Sequence, residues 1–191
     1  DSGVDSLLQA NVTSNGYVMA AETATFVVDQ LNGQGNVVMF IFEPYPPVQM
    51  RGAIAESIFN NTPDLKILDK ITPSFDKGPL EGARNAMEAV LIANQDKGSI
   101  QAVWAAWDDH ALGAEQAIRD AGRENEDIII VGIDATEQAK DRISALGNFK
   151  ATVAQDFSGI AETVAQIIEQ YLNTGTVSQK QIYVSAKLIT A

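Results

Sequence analysis

The sequence has no cysteine, one histidine, two tryptophans, and 13 lysines and arginines against 25 acidic residues in 191 positions. Without cysteine it makes no disulfide, thiolate-ligated zinc site, iron–sulfur centre or thiol nucleophile. The lone His110 offers no metal ligand set, and no Gly-x-Ser-x-Gly, His-Glu-x-x-His or P-loop motif accompanies it. Gly33-Gln34-Gly35 lacks the third glycine of a dinucleotide fingerprint and precedes a strand pattern rather than a helix. No apolar run approaches the roughly 18–20 residues that cross a bilayer. The net charge of -12, with lysine and arginine scattered, opposes a nucleic-acid partner. Asp1-Ser2-Gly3-Val4-Asp5 has neither the basic start nor the apolar stretch of a signal peptide, and position 1 is not Met. The expectation is a chain that begins after processing, cleavage or truncation. No catalytic residue, metal or cofactor is expected.

What remains is 46% hydrophobic, enough for a sizeable core. The pattern alternates. Short β-branched runs lie at 37–42, 65–68, 100–105 and 127–132, with weaker ones at 151–154 and 182–184. Between them apolar residues recur at helical spacing over 16–32, 48–60, 79–94, 109–121, 136–146 and 157–172. Pro47 and Pro79 suit first helical turns, while Gly33, Gly122 and Gly175 suit helix ends. Asp134-Ala135-Thr136-Glu137 reads as a capping box. Strands alternating with helices predict an α/β fold, a doubly wound and mainly parallel sheet.

In such sheets ligands bind beyond the carboxyl ends of the strands. There the sequence carries Glu43 to Pro47 with Arg51 in the next helix, then Ser74-Phe75-Asp76, Trp107-Asp108-Asp109, Asp134 and Gln155-Asp156. Carboxylates, an amide, a guanidinium and flat aromatics are what a neutral polyhydroxylated ligand needs. The planar polar groups bond neighbouring hydroxyls, and the rings cover C–H faces.

These strand-end motifs, in this order, resemble the ribose/galactose-type branch of the type I periplasmic binding proteins, the sugar-binding components of ABC importers. This branch is related to the effector domains of lactose-repressor-like regulators. The markers are Val12-Thr13-Ser14-Asn15, Gly35-Asn36-Val37-Val38, Arg51-Gly52, Asp108-Asp109-His110-Ala111-Leu112-Gly113-Ala114, Ala121-Gly122-Arg123, Val131-Gly132-Ile133-Asp134 and Ala151-Thr152-Val153-Ala154-Gln155-Asp156. The resemblance implies two lobes closing on one ligand. It carries Arg51, Asp134 and Gln155 onto hydrogen-bonding positions and Phe75 onto a stacking position. Ser14 and Asp1 are carried as further ligand residues, Asp1 with one gap before Ser14. Trp107 falls where ribose binders have Asn, which points to a differently shaped sugar or a polyol.

The resemblance also implies an incomplete pair of lobes. Residues 14–155 with 185–191 would be the second, C-terminal lobe. Residues 1–13 and 156–184 would belong to a mostly missing first lobe. The 157–172 helix would then need that lobe, or another chain, to cover it. The implied partners are a sugar or polyol and a membrane ABC permease, and the implied location is periplasmic or otherwise extracytoplasmic. The alternatives are an effector-sensing domain of a transcription regulator and an autoinducer or chemotaxis binding protein.

Simpler roles compete at each position. Asp134 is also a fitting helix cap, Arg51 a fitting partner for Glu43 or Glu56, and Phe75 a fitting hydrophobic staple. Gln155 also suits a hinge residue. Asp108 and Asp109 fit a helix start answering its dipole. Trp104, inside its strand, reads as core or hinge packing.

Overall fold

The computed structural model describes residues 7–191. Strands and helices alternate: β1 (Asn11–Ser14), α1 (Gly16–Gln30), β2 (Gln34–Phe40), α2 (Pro46–Asn60), β3 (Asp64–Ile71), α3 (Pro79–Ala93), β4 (Ala102–Ala105), α4 (Asp108–Asp120), β5 (Ile129–Val131), α5 (Glu137–Ser144), β6 (Phe149–Gln155), α6 (Phe157–Thr174), β7 (Gln181–Val184) and β8 (Ala186–Thr190). The chain divides into two compact units. The larger comprises residues 16–154 and 188–191, the smaller the residues through Asn15 and 155–187.

The larger unit is built on a six-stranded sheet of order β3-β2-β4-β5-β6-β8. The pairs β2–β3, β2–β4, β4–β5 and β5–β6 are all parallel. Its central strands are apolar along their whole length, as burial on both faces demands: Ala102–Ala105 and Ile129–Val131 are buried throughout. Alternation along β2 sorts its side chains between two layers. Val38 and Phe40 join Val103, Ile130, Met87 of α3 and Ile118 of α4 in one core. On the sheet's register Trp104 pairs with Met39. Trp104 is completely buried, and its indole N–H donates to Thr23 Oγ1 of α1 at 2.9 Å. That bond answers the one polar atom such a core tryptophan carries.

Helices start and stop where local chemistry demands. Proline occupies the first turns of α2 and α3. Gly33, Gly122 and Gly175 follow helices with φ of 73°, 68° and 73°, conformations a Cβ disfavours. The expected capping box at 134–137 is corrected. The cap of α5 is Thr136, whose hydroxyl accepts from Ala139 N at 3.2 Å. Asp134 is not helical because its N–H donates to Val153 O at 2.9 Å, which prolongs the sheet by one bridge.

In the smaller unit β1 pairs in parallel with β7, from Asn11↔Gln181 to Ser14↔Val184. Its four residues, Asn-Val-Thr-Ser, are too few and too polar to show a strand period, which is why the sequence pattern misses β1. Asp156 caps α6 by accepting from Gly159 N at 2.8 Å. No residue of α6 is buried, although it carries Ile160, Val164, Ile167, Ile168 and Leu172 at helical spacing. A groove of about 380 Å³ runs between this helix and the Leu8–Val12 segment.

Candidate ligand-binding site

The site candidates of the larger unit collect at the carboxyl end of its sheet. Arg51 lies in the second turn of α2. That helix lies close to the sheet at Gly52, where an added Cβ would sit 3.0 Å from Ile41 Cγ2. The Arg51 side chain is only 8% exposed. Its Nη1 donates to Ala106 O at 2.9 Å and lies 3.5 Å from Asp134 Oδ1. Its Nε is buried with no hydrogen-bond partner. Of the two alternative surface partners, Glu56 is instead held by Lys70 at 3.0 Å. The Asp134 side chain is 32% exposed, so the pair is buried at the cation and open at the carboxylate.

The Arg51 bond to Ala106 ends one residue before Trp107, which begins an aromatic cluster. Phe75 is 43% exposed, and its ring centroid lies 5.8 Å from that of Trp107 at 81°. Phe42 packs against both, at 4.5 Å from Phe75 and 5.5 Å from Trp107. The staple reading of Phe75 fails because α3 is capped by Gly78, which puts Lys77 at the staple position. Gly82 in α3 touches the segment that carries Phe75: a Cβ there would lie 1.9 Å from Ser74 O.

Behind Trp107 lies His110, wholly buried, with its ring 4.3 Å away and tilted 32°. Neither ring nitrogen has a hydrogen-bond partner. Burial pushes its pKa down to about 4, so the imidazole is neutral at physiological pH.

Asp108 is 1% exposed and turns inward rather than only facing its helix dipole. Its Oδ1 accepts from Thr152 Oγ1 at 2.7 Å and its Oδ2 from Thr136 N at 2.8 Å. Burial raises its pKa, which the bonds from Thr152 and Thr136 oppose. The sequence pattern does not single out Phe42, His110 or Thr152 as site elements. Asp108 stands among the strand-end candidates, but nothing in its spacing shows that it turns inward.

Arg51, Phe75, Trp107 and Asp134 are therefore gathered at one sheet edge. Ser14 and Gln155 belong to the smaller unit; Ser14 Oγ is buried without a hydrogen-bond partner. Asp1 lies outside the described residues. Among the described residues no group of His, Asp and Glu could hold a metal ion, and no helix is long and apolar enough to cross a membrane.

A parallel α/β sheet that carries polar and aromatic groups at the carboxyl ends of its strands presents them where ligands bind in such folds. The periplasmic binding protein domain matches residues 1–176, and the chain belongs to that family. It is 30% identical over 173 residues to a D-apiose import binding protein of Actinobacillus succinogenes, covering 90% of this chain and 53% of the relative. It is 31% identical over 194 residues to the ribose import binding protein of Bacillus subtilis, covering 98% and 56%. A solved ABC transporter solute-binding protein from Agrobacterium vitis, with bound allitol, superimposes with a TM-score of 0.85 at 27% identity, over 95% of this chain and 62% of the other. The chain thus spans about half the length of the curated relatives it matches.

Proposed function

We propose that this chain is part of the solute-binding component of an ABC importer and binds a monosaccharide or sugar alcohol. Arg51 and Asp134 would bond vicinal hydroxyls, and Phe75 and Trp107 would cover C–H faces. The observation that carries this reading is the Arg51–Asp134 pair, 3.5 Å apart and open to solvent on the carboxylate side, beside an aromatic corner. A carboxylate accepts on two oxygens while the guanidinium donates from a buried fork, which suits neutral polyols. Binding would proceed by closure of two lobes, and the permease would read the closed form. No covalent step is involved, and the protein acts outside the cytoplasmic membrane.

Under this reading 14–155 with 185–191 form the second lobe. Residues 1–13 and 156–184 belong to a first lobe whose remaining chain is not in this sequence. Two facts support it: the chain spans about half of its curated relatives, and α6 leaves Phe157, Ile168 and Leu172 66%, 54% and 78% exposed. Asp1, Ser14 and Gln155 are ligand candidates on the resemblance alone.

The test is calorimetry on the full-length protein with D-ribose, D-apiose, allitol, D-glucose and small furanones. Arg51→Ala and Asp134→Ala are each expected to weaken binding of the best of these by at least ~10-fold, since each removes a charged group that would hydrogen-bond the ligand hydroxyls. Unchanged affinity in both variants overturns the site.

A further inference from the structure

The loop that carries Asp134 is strained. Asp134 and Ala135 have φ of 121° and 53°, left-handed values that side-chain-bearing residues seldom adopt. Such backbone persists only where its surroundings over-determine it. Here they do so through two buried side chains. Ala135 N donates to Thr152 Oγ1 at 3.1 Å, and Thr136 N donates to Asp108 Oδ2 at 2.8 Å. Thr152 Oγ1 in turn donates to Asp108 Oδ1 at 2.7 Å. On the preceding side, Asp108 N donates to Ile133 O and Asp134 N to Val153 O, both at 2.9 Å. The three amides from 134 to 136 are all taken, two of them by the Asp108–Thr152 pair.

We infer that Asp108 is a positioning residue for ligand binding: through Thr152 and Thr136 it holds the Asp134 carboxylate in its binding geometry. The inference rests on the reading of Asp134 as a ligand contact. The chemistry explains why a carboxylate is used. Both groups that reach Asp108 are donors, and only a carboxylate accepts on two oxygens with no donor of its own. The isosteric Asn would turn an N–H toward one of them. A buried carboxylate is costly to keep, so its presence where a helix start needs none points to a task. Gly132 is fitted to the same clamp: a Cβ there would lie 2.4 Å from Asp108 Oδ1.

The experiment is a double-mutant cycle on the full-length protein, read by calorimetry with D-ribose, D-apiose and allitol. Asp108→Asn is expected to weaken binding by about 10-fold in the wild-type background, and to add nothing in the Asp134→Ala background. Thr152→Val is the second variant should Asp108→Asn fail to fold. It is expected to weaken binding several-fold, with Thr152→Ser, which keeps the hydroxyl, restoring it. Wild-type affinity in Asp108→Asn overturns the inference. So does an equal loss with and without Asp134. If Asp134→Ala itself binds like wild type, it is the reading of Asp134 that fails. Amide hydrogen exchange at Ala135 and Thr136 then decides the clamp: lost protection in Asp108→Asn supports it, and retained protection overturns it.

Discussion

His110 shows how much one buried side chain can do without making a hydrogen bond. Its ordinary pKa is near 6.5, and burial brings it to about 4 in the folded protein. Between these values the unfolded chain binds a proton that the folded one refuses. The neutral imidazole therefore costs nothing above pH 6.5, and stability falls as pH drops from 6.5 toward 4. The full loss is about 3 kcal/mol. Urea unfolding at pH 7 and pH 4.5 is expected to show that slope in wild type and a flatter one in His110→Phe. Asp108, whose pKa is raised, works with the opposite sign, so the wild-type–variant difference isolates the histidine. At this scale the sequence was only partly legible. Arg51, Phe75, Trp107 and Asp134 stood out because strand ends in a parallel sheet are where ligands bind. The inward turn of Asp108 and the placing of the His110 ring among Phe40, Phe75 and Trp107 depend on packing between elements distant in sequence, which no local pattern encodes.

Between elements, close backbone approach governs. α3 and α4 cross at Gly113, where an added Cβ would lie 2.2 Å from Leu80 O and 2.9 Å from Arg84 N. Backbone atoms cannot rotate away as a side chain can, so Gly113→Ala forces the helices apart. A loss of about 1–3 kcal/mol is expected by denaturant unfolding. Removing the α5 cap with Thr136→Ala is expected to cost about 1 kcal/mol in the same measurement. The helices and the main strands were legible because their apolar periods are long and their ends carry proline or glycine. The exceptions are instructive. β1 is short and polar, and the cap of α5 is Thr136 rather than Asp134 because the Asp134 backbone belongs to the sheet, a non-local pairing invisible in four residues.

For the whole molecule the informative feature is apolar surface. α6 displays Val164, Ile168, Tyr171 and Leu172, all at least 37% exposed, beside a groove lined by Leu8 and Val12. Surface of this kind binds apolar dyes and drives association. The 191-residue chain alone is expected to enhance the fluorescence of an anilinonaphthalene dye. Ile168→Lys with Leu172→Lys is expected to cut that signal severalfold, with sedimentation velocity showing less self-association. An unchanged signal would mean that this stripe is not the adhesive surface.

The sheet of the larger unit ends at β8, which the chain reaches only after leaving β6 and passing through 156–185, the residues of α6 and β7. To the sheet, that long passage is an insertion, and its neighbouring strands are related as ends to be rejoined. A short glycine–serine linker in place of 156–185 would turn a discontinuous lobe into a continuous polypeptide. It would keep Arg51, Phe75, Trp107 and Asp134 on one autonomous scaffold, small enough for residue-by-residue spectroscopy.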